Sequence, residues 1–101
     1  MARPKKCRHI RCSPAANYFK PRGIPMFELE EIVLEADELE ALRLADLNGL
    51  SHEEAAEKMK ISRATFGRIL ESARRKTADG ILNGKAIRIE NTIQNYIKTV
   101  R

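Results

Sequence analysis

The sequence predicts a mainly α protein: a three-helix helix-turn-helix domain with an irregular basic N-terminal arm and short strands near 31–35 and 85–90. Three observations predict it. Residues 51–76, SHEEAAEKMKISRATFGRILESARRK, read as a capped helix, a tight turn and a second helix ending in three consecutive cations. A further capped helix, DELEALRLADL, precedes them. All four prolines (Pro4, Pro14, Pro21 and Pro25) fall within residues 1–26, which excludes a long helix there.

Taken in order, residues 1–26 form a basic, proline-containing arm, with Tyr18 and Phe19 as anchors onto the core. Residues 27–90 form the helix-turn-helix domain and 91–101 a C-terminal tail. Within the domain, EIVLE at 31–35 fits a short strand, and nearly as well a helical turn. The next helix is expected over about 37–48, with an Asp37/Glu40 capping box, Asn48-Gly49 as its stop, and Leu39, Leu42, Ala45 and Leu47 facing the core. Ser51 and Glu54 form the capping box of a helix over 51–60, and small Ala55 and Ala56 let a neighbour pack closely. Ser62 caps the last helix, expected over about 62–80, and Asn83-Gly84 ends it. At about 100° per residue this helix puts Phe66, Ile69, Leu70 and Ala73 on one stripe. KAIRIE, 85–90, alternates as a strand does and is a partner for EIVLE, within one chain or between two. In the tail, Ile93 and Ile97 stand at helical spacing, over a length marginal for an isolated helix.

At 101 residues and 43% hydrophobic, one modest core is expected, and with no Trp and few aromatics it must be aliphatic. No run of about 18 apolar residues occurs, so no membrane helix is expected, and no apolar leader segment follows the basic N-terminus. The cytoplasm is the expected compartment. Catalytic signatures are absent: no P-loop, nucleophile elbow or HExxH occurs, and no enzyme activity or cofactor is expected. The dense acids Glu28, Glu30, Glu31, Glu35, Asp37, Glu38 and Glu40 read mostly as a solvated helix surface.

The net charge of +5 conceals a division along the chain. Residues 1–22 carry seven cations and no acid, residues 23–57 eleven acids against Arg43, and residues 58–89 nine cations against Glu71 and Asp79. Such a molecule is oriented, with one face towards an anion. The last helix is where the cations and the non-core face coincide. Its face away from the apolar stripe carries, in the first two turns, the expected DNA base contacts Arg63, Ala64, Thr65, Gly67 and Arg68. Arginine can fork onto guanine O6 and N7, threonine can meet a thymine methyl or a phosphate, and alanine and glycine allow close approach. The competing role for Arg68 is a surface ion pair with Glu71. Lys60, Ser62, Arg74, Arg75 and Lys76 are the expected backbone contacts, which hold register without reading sequence. In the arm, Lys5, Lys6, Arg8 and Arg11 can reach a groove or flanking phosphates, or form a simple basic tail. Cys7, His9 and Cys12 are the one alternative chemical site, but three ligands at C-x-H-x2-C spacing fall short of a closed zinc site, and His52 reads as surface.

The stretch LSHEEAAEKMKISRATFGRILESARRK resembles the helix-turn-helix of region 4 of bacterial sigma factors. More widely, RPKKCR, YFKPRGIP, LEEIVL, DELEALRLADLNGL, SRATFGRILESARRK and NGKAIRIE together resemble a family of small, uncharacterised prokaryotic proteins predicted to bind DNA, over residues 3 to 90. The resemblance implies a transcription-regulator-like role. One departure is Lys60, which stands in the turn where such motifs often carry glycine. The expectation is a sequence-specific double-stranded DNA binder acting as a homodimer. The rival roles are an acidic docking module for RNA polymerase and a metal- or thiol-responsive sensor using Cys7, His9 and Cys12.

Overall fold

The structure is a computed structural model, and it describes Ile10, Pro14 and residues 16–90. Strand β1 (Tyr18–Phe19) and a 3₁₀ turn (Met26–Glu28) lead to β2 (Glu31–Leu34). Helix α1 (Ala36–Ala41) continues into a π-helical segment (Leu42–Leu47); α2 (His52–Met59), α3 (Arg63–Asn83) and β3 (Ala86–Ile89) follow. The sheet order is β1-β3-β2, with β1 antiparallel and β2 parallel to β3. Ile32 lies opposite Ile87, and Leu34 opposite Ile89. The two segments predicted to pair do so within one chain. Parallel strands need a long crossover, and here the crossover is the whole helical run.

Each helix begins and ends for a local reason. Ser51 Oγ accepts from Glu54 N (3.1 Å) and Glu54 Oε1 from Ser51 N (3.0 Å), the expected capping box. Ser62 Oγ likewise accepts from Thr65 N (3.1 Å). Lys60 closes α2 in the left-handed region (φ 59°, ψ 45°). Its N–H donates to Glu57 O (3.1 Å) and that of Ile61 to Ala56 O (3.1 Å), the paired bonds of a Schellman ending. Gly84, at φ 65°, ends α3 three residues later than the 62–80 expectation.

Four expectations change. The first helix is capped by Glu35 and Glu38, not Asp37 and Glu40: β2 ends at Leu34, so the extended Glu35 takes the cap position, and Asp37 is already inside the helix. Glu40 instead receives Arg43 on both oxygens (3.0 and 2.8 Å). The second half of that helix is π-helical, closed by Asn48 N to Arg43 O (2.9 Å), and the wider turns leave Leu47 80% exposed while Leu44 takes the core position. Phe19 is not an anchor: it is 53% exposed and acts through backbone pairing with Ile87, while the half-buried Tyr18 pairs with Arg88 and donates its hydroxyl to Glu31 of β2 (2.9 Å). The acids are not all solvated, since Asp37, Glu38 and Glu40 are buried. The tail beyond Glu90 lies outside the described residues, with Ile93 and Ile97.

The core has two parts joined by α3. Phe66 and Leu70 pack with Ala41, Leu44, Ala55, Ala56 and Met59, while Ala73 packs with Leu34 and Ile89. The predicted stripe is therefore the buried one, with Ile69 at its edge. At Gly80 the helix lies so close to the sheet that a Cβ there would sit 2.8 Å from Ile87 Cγ1. No helix among the described residues is long and apolar enough to cross a membrane.

Glu38 ties these layers together. It accepts from Glu35 N (2.9 Å), Ser72 Oγ and Lys76 Nζ (2.9 Å), and the same ammonium donates to Val33 O (2.8 Å). Lys76→Met is expected to lower stability by about 2 kcal/mol, because it leaves a buried carboxylate without its cation while the lysine itself is partly solvated. Urea unfolding checks this, and an unchanged midpoint would show that the pair carries little.

Candidate functional site

Among the described residues, exposed cations concentrate on the side of α3 turned away from the core. Arg63, Ala64, Arg68, Glu71, Arg74 and Arg75 are exposed there, with Thr65 and Gly67 half-buried at its margins. The same cap that starts α3 orders this surface: Ser62 Oγ donates to Thr65 Oγ1 (2.9 Å), and Arg68 Nη2 lies 3.5 Å from that hydroxyl. Arg63 has no bonding partner among the described residues. Glu71 takes Arg75 at i+4 (3.4 Å) rather than Arg68 at i+3, so Arg68 has no carboxylate partner among the described residues. Lys60 stands exposed at the turn just before Ser62.

The structure separates the three consecutive cations. Arg74 is held by Asp46, with Nε to Oδ2 at 3.1 Å and Nη2 to Oδ1 at 2.7 Å. Those hydrogen bonds hold the Asp46 carboxyl below its ordinary range. Among the described residues, Arg75 has only the looser contact with Glu71. Lys76 turns inward to Glu38 and Val33, so its ammonium is not on the arginine face. Asp46 escaped the sequence reading, for it lies 28 residues from Arg74 with no spacing to betray it. The Glu71–Arg75 pair, at i+4, was legible in principle.

Two glycines in one helix differ. Gly80 is pressed against Ile87 and Ile32, whereas among the described residues nothing lies within 4 Å of where a Gly67 Cβ would be. Packing among the described residues thus accounts for Gly80 and not for Gly67. Beside this face, α2 presents Glu53, Glu54 and Glu57 to solvent. His52 is half-buried with its ring edge-on to Phe66, centroids 5.4 Å apart, and serves packing. Lys5, Lys6, Cys7, Arg8, His9, Arg11 and Cys12 lie outside the described residues, and among the described residues no His, Cys, Asp and Glu cluster could hold a metal.

A family model described as "Protein of unknown function DUF134" matches residues 1–96. A UPF0251 protein of Thermoanaerobacter pseudethanolicus is 58% identical over 90 residues, covering 89% of this chain and 76% of that protein. The UPF0251 protein of Caldanaerobacter subterraneus subsp. tengcongensis matches to the same degree, 58% over 90 residues with the same coverage. That of Desulfosudis oleivorans is 56% identical over 99 residues, 98% of this chain and 70% of that protein. No solved structure matches.

The glycine contrast has a measurable consequence. Gly67→Ala is expected to raise stability by about 1 kcal/mol, the helix-propensity gain in open space. Gly80→Ala should lower it by about 1 kcal/mol, as overpacking against Ile87 outweighs the same gain. Urea midpoints of the two variants with the same sign would contradict this. Acid stability has a sign too. Arg74 lowers the Asp46 carboxyl, the Ser51 N–H and hydroxyl lower Glu54, and Asn83 and Lys85 lower Asp79. Carboxyls depressed by folding add stability above their unfolded values, and lose it as pH falls through their folded ones. The melting temperature should hold above about pH 5 and fall below about pH 4, less steeply in a Glu54→Gln variant.

Proposed function

We propose that the chain, which belongs to the DUF134 family of proteins of unknown function, binds double-stranded DNA through α2 and α3 as a helix-turn-helix. On this proposal it acts as a prokaryotic transcriptional regulator. The observation that carries it is the start of α3: Arg63 and Arg68 project without carboxylate partners among the described residues, on either side of a glycine with open space before it. A recognition helix reads base edges from its N-terminal turns, where its backbone must come close and its side chains must be uncommitted. Arg63 and Arg68 are the proposed readers, with Ala64, Thr65 and Gly67 allowing approach. The three-residue turn Lys60 to Ser62 joins the two helices compactly, the length that helix-turn-helix motifs use. The left-handed Lys60 keeps its side chain exposed beside the cap of α3, where it suits a phosphate.

The exposed acids of α2 would face such a groove only at its rim; docked on a protein instead, Glu53, Glu54 and Glu57 suit a basic surface of the transcription machinery. One experiment separates the two readings. In-vitro selection from a random duplex library is expected to enrich a motif, and an inverted repeat would place two copies of the chain on one site. Arg68→Ala should then lose discrimination at one base step, about 1–3 kcal/mol, with modest loss on unrelated DNA. Equal weakening on every sequence would make Arg68 a phosphate contact. Absence of binding to any duplex would transfer the proposal to the acidic face of α2.

A further inference from the structure

The solvent side of α3 sorts its four arginines into two classes. Arg63 and Arg68, in the first two turns, have no carboxylate partner among the described residues. Arg74 and Arg75, a turn and a half further on, are each met by an acid. The two engagements differ in kind. Glu71 reaches Arg75 from the same helix at 3.4 Å, with both side chains more than two-thirds exposed. Asp46 comes from the end of the π-helical segment and takes two Arg74 nitrogens at 2.7 and 3.1 Å, a planar fork. A phosphate offers a guanidinium the same two-oxygen arrangement as that carboxylate. Asp46 therefore occupies the edge of the Arg74 guanidinium with which a backbone phosphate would bond. Both partners remain about half exposed, and exposed pairs are individually weak, so a well-placed phosphate can take the carboxylate's place.

Phosphate contacts are made on every sequence, whereas base contacts are not. Occupying an arginine of the first kind lowers non-specific affinity more than specific affinity, provided that only the specific complex seats the backbone closely enough to displace the acid. Resting on the DNA-binding reading above, we propose that Asp46 is a specificity-determining residue: it withholds Arg74 from phosphates on unrelated sequences. It touches no base and acts through Arg74 alone. The alternative for the same geometry is a buttress that presents Arg74 to phosphate, and it makes the opposite prediction.

The test measures binding of a selected duplex and a scrambled duplex of equal composition by fluorescence anisotropy over a salt series. Asp46→Asn should bind the scrambled duplex several-fold more tightly and steepen its log affinity against log salt by about 0.9, the release of one further phosphate contact. The selected duplex should gain less, so the ratio between them falls. Arg74→Gln alone should leave the scrambled slope at the wild-type value, and the double variant should return the slope to it. An unchanged slope, or weaker binding of both duplexes, in Asp46→Asn overturns the proposal and leaves DNA binding standing. A gain that persists in the double variant also overturns it, because removal of a negative charge would then suffice. Failure of the wild-type chain to bind either duplex overturns the proposal and the DNA-binding reading together. Urea midpoints confirm folding of each variant, and Asp46→Ser replaces Asp46→Asn should the latter unfold.

Discussion

The carboxylate of Glu38 is the point on which the arrangement of helices and sheet depends. One side chain caps α1 through Glu35 N, takes Ser72 and Lys76 from α3, and through Lys76 reaches the Val33 carbonyl of β2. A buried acid without partners would be strongly unfavourable, so the four groups must assemble together. Their assembly sets the rotation of α3 about its axis. With Ser72 and Lys76 turned to Glu38 and Phe66, Leu70 and Ala73 to the core, Arg63, Arg68 and Arg75 can only face outward. The surface proposed to meet DNA is in this sense a consequence of an ion pair on the flank of the helix next to it.

Lys76 has a second effect. The Glu30 and Leu34 carbonyls accept from Ala86 and Glu90 of the β3 side, so the Val33 carbonyl between them points to the outer edge of the sheet. An open edge invites pairing with another chain, and a lysine over it is one of the ways in which proteins prevent that. EIVLE and KAIRIE are paired to each other within the chain, and Lys76 covers the β2 edge at the Val33 carbonyl.

Along α3 the backbone makes opposite uses of glycine. Gly80 lets the helix approach Ile87 and Ile32, and stability rises from that contact. Gly67 has no such contact among the described residues, and they offer nothing that offsets its helix-weakening effect of about 1 kcal/mol. Gly67 thus lies off the core stripe of Phe66, Leu70 and Ala73 in the N-terminal half of α3, and Gly80 lies on the side that meets the sheet. Arg74, held by Asp46, lies between the two along the helix.

Local chemistry alone determined the caps at Ser51 and Ser62, the stop at Asn83-Gly84, the buried stripe through Phe66, Leu70 and Ala73, and the alternating strand at KAIRIE, because each is a matter of residues within one turn or of strict periodicity, whereas EIVLE fitted a strand and a helical turn nearly equally until its pairing with β3 decided it. The same short range explains the strained Lys60 at the end of α2, foreseen from its place in the turn. Tertiary structure decided what short-range rules cannot reach. The cap moved to Glu35 because β2 ends where it does, and Leu47 was exposed because the helix widens into a π segment. Lys76 turned inward because Glu38, 38 residues away, needed a cation, and Arg74 was met by Asp46 across 28 residues. In each case a charge or a backbone group was satisfied by a partner far along the chain, and no spacing in the sequence marks such partners. Which cations of α3 are free and which are engaged is therefore a property of the fold.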